Sequence, residues 1–234
     1  MIVATKGTSS YRQRSRNSKK ARRERQIRRF AILGFVILVV VTGIAITKAG
    51  KQGENDSTVI ESNKYKEFQT DLEIKEDFIK PNKYSRPQTP LTEVNDIVIH
   101  YVANPGSSAQ ANRDYFDNLR FGTSGRYASS HFVVGLNGEI VQCIPLNEIS
   151  YASNNRNSDT ISIECCHPEE DGKFTDETYQ ALVQLTADLC KVYHLNEEHV
   201  IRHYDVTGKL CPLYFVDHED AWETFKEDVA QAMK

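Results

Sequence analysis

The run Ile97-Val-Ile-His-Tyr-Val102 is β-branched and apolar over most of its length. Turn-forming residues bound it on both sides, Asn95-Asp96 before and Asn104-Pro105-Gly106 after. Such a run predicts a buried β-strand that ends in a turn. A histidine in this kind of strand is more often a core or edge residue than a metal ligand, so the run alone leaves the role of His100 open.

The rest of the chain beyond this run alternates strands and helices. Residues 131–134 and 139–144 predict a hairpin, because the Asn137-Gly138 pair between them favours a two-residue turn. Residues 160–166 and 200–203 predict two more strands. Helical spacing of apolar residues predicts three helices: residues 107–120, a helix capped by Thr175, and a last helix after Asp217. This order predicts an α/β domain with a mixed central β-sheet flanked by helices.

A second informative stretch is residues 201–212, Ile-Arg-His-Tyr-Asp-Val-Thr-Gly-Lys-Leu-Cys-Pro. Neutral imidazole and thiolate are both good zinc ligands. His203 and Cys211 are too far apart for one helical turn, so the segment must loop back, and Gly208 provides the bend. If His100 is the third ligand, the set has the composition of a catalytic zinc site, which keeps a fourth position for water.

Two charged residues are candidates for the chemistry at such a metal. Glu164 lies toward the end of the strand at 160–166 among apolar neighbours, where a carboxylate is costly unless it is used or paired. It could take the proton of a metal-activated water, and pairing with an arginine on a sheet face is the alternative. Lys209 would lie beside the metal as a cation.

The N-terminal part of the chain differs sharply in composition. The first 29 residues contain 11 Lys or Arg and one Glu, whereas the whole chain has a net charge of −3. Residues 30–47 are uncharged and apolar, long enough for about 27 Å of helix. We expect a basic cytoplasmic tail (1–29), a transmembrane anchor (30–47) and an exported domain, with no role in nucleic-acid binding. The alternative, a cleaved signal peptide, has a shorter basic region and a shorter apolar run.

Residues 48–90 are polar and contain three prolines and several charges, which is typical of a linker or stalk. One short helix is expected around residues 65–79. The catalytic or binding domain is then expected at residues 91–234, on the outer face of the cell membrane.

The chain resembles the zinc-dependent N-acetylmuramoyl-L-alanine amidases of the type-2 group, which share their fold with phage T7 lysozyme and the peptidoglycan recognition proteins. Five motifs recur in one order: Ile-His100, Ser-Ser-His131-Phe, Asn-Gly-Glu-Ile-Val-Gln142, Ser-Ile-Glu164, and Arg-His203-x-Asp-x-x-Gly-Lys209-x-Cys211-Pro. The resemblance covers roughly residues 95–225.

This resemblance implies a function and a role for each motif residue. Peptidoglycan would be the substrate, and the bond cut would be the amide between N-acetylmuramic acid and L-alanine. His100, His203 and Cys211 would hold Zn²⁺. Glu164 would activate the zinc-bound water, and Lys209 would stabilise the oxyanion of the tetrahedral intermediate.

The chain also departs from the family pattern. Some relatives carry a tyrosine where this chain has Ser130, so the work of the general base is expected to fall to Glu164. A Trp-His-Ala-Gly-like segment of relatives is Tyr151-Ala-Ser-Asn154 here, which predicts a more polar substrate groove. Tyr151 and His131 are expected beside the metal ligands or in that groove. Packing at the edge of the hairpin is the alternative for His131.

Two other functions compete with an amidase. A recognition domain that binds peptidoglycan without cutting it typically lacks the cysteine ligand. A metal-free cysteine hydrolase would need Cys165 or Cys166 as nucleophile, and an apolar strand is a poor place for one. Adjacent cysteines on a strand point to opposite faces, so at most one of these two could reach Cys190 for a disulfide, and nothing in the sequence requires a bridge.

Overall fold

A mixed six-stranded sheet organises the part of the chain that the structure, a computed structural model, describes: residues 68 and 70–234. The strands are β1 (Ile74–Glu76), β2 (Asp96–Tyr101), β3 (Phe132–Val134), β4 (Ile140–Gln142), β5 (Thr160–Cys165) and β6 (Val200–Arg202). Their spatial order is β1-β4-β3-β5-β2-β6. The hairpin pair β3–β4 is antiparallel and the other four pairs are parallel, which confirms the predicted mixed sheet.

Five α-helices accompany the sheet in this described region: α1 (Ala109–Asn118), α2 (Asp176–Tyr193), α3 (His203–Thr207), α4 (Leu213–Asp217) and α5 (Glu219–Ala232). Short 3₁₀ turns lie at Leu119–Phe121, Asn154–Arg156 and Glu197–His199. The hydroxyl of Ser108 caps α1 and that of Thr175 caps α2, each by accepting a backbone N–H three residues on. Helices α1, α2 and α5 confirm the three that the sequence predicts.

The two faces of the sheet are covered differently, and the alternation along β5 shows how. Ile161 and Ile163 pack into the larger core together with apolar residues of α2 and α5. The intervening side chains of Ser162 and Glu164 point to the other face, where α1 and the smaller apolar cluster lie. Cys165 belongs to the first cluster and Cys166 to the second, so these neighbours do point to opposite faces. All five cysteines are free thiols.

The sheet begins earlier in the chain than the sequence predicts. β1 pairs in parallel with β4, and Ile79 after it is fully buried, so this stretch is part of the domain rather than of a linker ending at residue 90. A helix around residues 65–79 is wrong: the sequence Ile-Lys-Glu has no strand pattern of its own, and its conformation comes from pairing with a neighbour distant in sequence. Arg86 fastens the segment with two hydrogen bonds of 2.7 and 2.8 Å to the carboxylate of Glu148.

Three predictions about the N-terminus concern residues outside those that the structure describes. These are the basic tail at 1–29, the anchor at 30–47 and the first part of the linker. Within the described residues, every helix is too short or too polar to cross a membrane.

Candidate metal centre

Two neighbouring parallel strands bring the first pair of polar side chains together. β2 and β5 are in register so that His100 lies directly beside Glu164. Both residues come near the carboxyl ends of their strands and point to the same face of the sheet. Neither strand alone predicts this contact, because the register between them joins residues 64 positions apart.

The second histidine and the cysteine come from the segment after β6. His203 is the first residue of α3, and Gly208 ends that helix in the left-handed conformation, with φ of +75°. The chain then turns back, and Tyr204 donates its backbone N–H to the carbonyl of Cys211 over 2.9 Å. This is the bend that the sequence predicted at Gly208.

Three potential ligand atoms meet at this point. The ligand atoms of His100, His203 and Cys211 all lie within 4.8 Å of one another, and each residue is at least nine-tenths buried. The thiol sulphur of Cys211 is 3.8 Å from Nδ1 of His100. Two imidazoles and one thiol are a donor set suited to zinc, with room for a fourth ligand.

Unpartnered atoms mark the same place. Of four buried side-chain polar atoms without a hydrogen-bond partner in the described region, two belong here: Nδ1 of His203 and Oε2 of Glu164. Buried polar atoms are normally satisfied, so such exceptions call for an explanation. A cation bound by the imidazole nitrogens and the sulphur accounts for the first atom, and a polar molecule in the cleft would account for the second.

The electrostatics of the metal-free site suit ligation. Burial lowers the pKa of His203 to about 4 and that of His100 well below its ordinary value, so both rings are neutral at pH 7. Burial, with a smaller contribution from the nearby Glu164, raises the pKa of the Cys211 thiol to about 12, although a backbone hydrogen bond from Tyr101 opposes the shift. Metal binding at neutral pH therefore displaces a proton from this thiol.

Glu164 and Lys209 line one open cleft together with His100 and His203. The cleft holds about 310 Å³, and its walls include Tyr127, Tyr151 and Asn157. Burial raises the pKa of Glu164 to about 8, and the positive charge of Lys209 opposes this rise. A carboxyl group with a pKa near neutrality can exchange protons at working pH. Lys209 itself is exposed on the cleft, beside the ligands.

The outer nitrogens of the two histidines contact a turn whose role the sequence did not predict. Nε2 of His203 is 2.9 Å from Oδ1 of Asn154, and Nε2 of His100 is 3.5 Å from Oγ of Ser153. The segment was expected only as a wall of the groove, and Asn154 does line the cleft. Its richness in asparagine, Ser-Asn-Asn-Arg-Asn, was the available signal, since asparagine readily adopts left-handed turns.

The two remaining predicted residues are in different places. Tyr151 lies in the cleft wall, packed edge-on against Tyr127. His131 is fully buried and is absent from the cleft lining. Its Nδ1 is 3.1 Å from the hydroxyl of Ser162, and its Nε2 donates to the carbonyl of Glu148 over 3.0 Å. These contacts favour the packing role that was the alternative for His131.

Comparison with known proteins agrees with this geometry. A profile of N-acetylmuramoyl-L-alanine amidases, Amidase_2, matches residues 90–213, just over half of the chain. The N-acetylmuramoyl-L-alanine amidase CwlL of Bacillus licheniformis is 37% identical over 170 residues, 68% of this chain and 47% of that protein. The amidase BlyA of Bacillus subtilis strain 168 is 33% identical over 177 residues, 67% of this chain and 46% of that protein.

Solved structures give the same result for the fold. The catalytic domain of XlyA superposes with a TM-score of 0.57 at 28% identity, covering 68% of this chain and 99% of that domain. The chain spans about half the length of the curated relatives it matches. The matched residues 90–213 contain the three ligand residues as well as Glu164 and Lys209. The chain therefore belongs to the Amidase_2 family of N-acetylmuramoyl-L-alanine amidases.

Proposed function

We propose that the protein is a zinc-dependent hydrolase that cuts the amide bond between N-acetylmuramic acid and L-alanine in peptidoglycan. The observation that carries this proposal is the meeting of the ligand atoms of His100, His203 and Cys211 within 4.8 Å of one another, at an open cleft that the two histidines and Glu164 line. Family membership supplies the substrate class.

His100, His203 and Cys211, all buried, would hold the metal, and the two histidines line the cleft through which substrate would reach it. Zinc in that position supplies a Lewis acid that polarises the substrate carbonyl and makes water a better nucleophile. The neutral histidines need no proton removed before they bind the ion, and only the thiol does.

Glu164 is the proton carrier of the reaction. It lies next to His100 on the adjacent strand, and its Oε2 is buried and unpartnered. Binding of a cation nearby favours its ionised form, which accepts a proton from the attacking water. The same carboxyl group then donates this proton to the amine that leaves.

Lys209 provides positive charge at the rim of the same cleft. Negative charge develops on the carbonyl oxygen as water attacks, and a cation already in place stabilises it without reorganisation. The flexible lysine stem lets the ammonium follow the oxygen as its geometry changes.

The location of the protein belongs to the proposal as well. The uncharged run at 30–47 follows a strongly basic segment, which favours a single membrane span with a cytoplasmic N-terminus. The catalytic domain would then act on the wall from the outer face of the membrane. Tethering keeps the enzyme concentrated near its polymeric substrate.

The competing functions have weaker support. A recognition module that does not cut has no need of Glu164 and Lys209 at a cleft beside two histidines and a cysteine, and this chain has all of these residues there or next to it. Cys165 and Cys166, the nucleophiles of the cysteine-hydrolase alternative, are fully buried, and burial raises the pKa of both thiols. Such thiols are inert.

Mass spectrometry of digested cell wall tests the proposal directly. The purified full chain should release stem peptides that begin with a free L-alanine amine. A chelator should stop the release and added Zn²⁺ should restore it. Release that persists in a metal-free preparation would exclude this mechanism, and zinc binding without any new amine would favour the recognition module.

A further inference from the structure

The turn at residues 153–157 contacts both histidines of the candidate metal centre at the wall of the cleft, where Asn154 is exposed. Asn154 accepts a hydrogen bond from His203, Nε2 to Oδ1, over 2.9 Å. The preceding residue, Ser153, places its hydroxyl 3.5 Å from Nε2 of His100. Two consecutive residues of one turn therefore contact the Nε2 atoms of both histidine rings.

We infer that Asn154 is a positioning residue for the metal, one that fixes the ring orientation and the tautomer of His203. This inference rests on the proposed zinc-dependent function, and it adds a determinant of metal affinity to that function. Groups that hold the second nitrogen of a ligating histidine orient the ring and make it a better ligand.

The chemistry of the contact selects one tautomer. A carboxamide oxygen accepts hydrogen bonds and cannot donate, so the proton of the neutral ring must be on Nε2 of His203. The lone pair is then on Nδ1, the buried atom without a partner. One ring nitrogen of His203 lies within 4.8 Å of the ligand atoms of His100 and Cys211, and with Nε2 bonded to Asn154, Nδ1 is the nitrogen left to bind a metal. Asn154 thus presents the lone pair where the metal is expected.

The backbone of the turn is held in place independently of the histidines. Oδ1 of Asn157 accepts the N–H groups of Ser153 and Ala152 over 2.6 and 3.1 Å. The N–H of Arg156 donates to the carbonyl of Ser153 over 2.9 Å. The carboxamide of Asn154 therefore projects from a preformed frame, so little freedom is lost when it meets the ring.

Asn154 also has an unusual backbone conformation, and this makes the inference testable. Its φ is +53°, in the left-handed region that glycine adopts without steric cost and other residues rarely enter. Asn154→Gly removes the carboxamide but suits the backbone at least as well. A purely structural role predicts no loss in this variant, whereas a positioning role predicts weaker metal binding.

The experiment compares zinc affinity in the full chain, solubilised in a nonionic detergent. Zinc is titrated against a chromophoric chelator, and the melting temperature of each metal-free protein is recorded. Asn154→Gly should weaken zinc binding about 10- to 100-fold while the melting temperature stays equal or rises. Asn154→Asp, which keeps an acceptor oxygen, should restore affinity to within a few-fold of the parent.

Asn155→Gly serves as the matched control, because Asn155 is the exposed next residue of the same turn. It should bind zinc like the parent. Equal zinc affinity of Asn154→Gly and the parent would overturn the inference, as would an equal loss in the control or a failure of Asn154→Asp to rescue. A parent protein that binds no zinc would instead refute the proposed function on which the inference rests.

Discussion

Ser162 and Glu164 lie two residues apart on β5 and point to the same face of the sheet, but their surroundings differ. Around Ser162, every polar neighbour has a partner: its hydroxyl meets those of Ser130 and Ser150 as well as the ring of His131. Around Glu164, the carboxylate has an unpartnered oxygen, and His203 nearby has an unpartnered nitrogen.

This difference distinguishes a buried histidine with a structural role, His131, from the two buried histidines of the candidate metal centre, His100 and His203. The His131 cluster satisfies its own hydrogen bonds and needs nothing from outside the chain. The metal centre leaves buried donors and acceptors open, at a cost in stability that the fold tolerates. Burial of a histidine alone does not distinguish the two; the completeness of its hydrogen bonding does.

The largest expected effect is on zinc binding and hydrolysis, and it should distinguish the buried thiol of Cys211 from that of Cys190. Cys211→Ala should remove one of three ligands and abolish both stoichiometric zinc binding and wall hydrolysis. Cys190→Ala, in the core contributed by α2, should keep the zinc and most of the activity at a small cost in stability. Elemental analysis and peptide release measure both properties. Retention of zinc by Cys211→Ala would remove the cysteine from the proposed ligand set.

Glu164→Gln sharpens the comparison within the metal centre. The amide keeps the size of the side chain but cannot carry a proton, so turnover should fall on the order of 10²–10⁴-fold. Zinc content should equal that of the parent, because Glu164 is outside the ligand set. Hydrolysis at the parent rate would show that another group takes the proton.

A substitution in the cluster around His131, whose hydrogen bonds are complete, should lower stability and leave zinc binding unchanged. His131→Ala leaves the carbonyl of Glu148 and the backbone N–H of Ser162 buried without a partner, which should cost about 2–4 kcal/mol of unfolding free energy. Zinc content should remain that of the parent. Urea unfolding and elemental analysis test this, and a variant that lost its zinc yet kept its stability would assign His131 to the metal centre.

The smallest effect is a pH dependence of the metal-free protein. The pKa of Glu164 is raised from 4.5 to about 8 in the folded state, so the folded protein keeps a proton that the unfolded chain has released between these pH values. Stability should therefore fall as pH rises from about 4.5 to about 8. Histidine titration acts in the opposite direction below pH 6.5, so the informative quantity is the difference between parent and Glu164→Gln.

That difference is measured by urea unfolding in a chelator at pH 5 and pH 8. The free energy of unfolding of Glu164→Gln should rise relative to that of the parent toward pH 8, because the variant has no carboxyl group whose ionisation opposes folding. An equal gap at both pH values would mean that Glu164 is ionised in the folded metal-free protein.

Most of this architecture could be predicted from local patterns. The β-branched run of β2 and the Thr175 cap of α2 each act over a few residues, and the structure confirms both. The hairpin is confirmed too, but its turn is one residue longer than predicted: Gly135 donates to the carbonyl of Glu139, which leaves residues 136–138 as the loop. β1 was missed because three residues of no marked propensity form a strand only through a distant partner.

In the candidate site too, features set by local sequence were predicted and contacts between distant residues were not. The candidate ligand residues, which the structure brings within 4.8 Å of one another, were found from residue chemistry and family resemblance, and the bend at Gly208 from its place in the spacing. The contact of Asn154 with His203 was missed, because it depends on how a turn and a strand end approach each other in three dimensions. The sequence also could not predict that both ring nitrogens of His131 have hydrogen-bond partners, since Ser162 and Glu148 are 31 and 17 residues away in sequence.

The place where the chain enters the domain has a mechanical consequence. β1 is the edge strand at one end of the sheet, and β4, β3 and β5 separate it from β2 and β6, which carry the two histidines or lead into them. Force applied from the N-terminal side would load the contacts of Phe68 with Phe132 and of Thr70 with Asp188, and then β1. If the chain is anchored as proposed, we expect a pull on it to load these contacts and the β1 edge before it reaches β2 and β6 at the other end of the sheet.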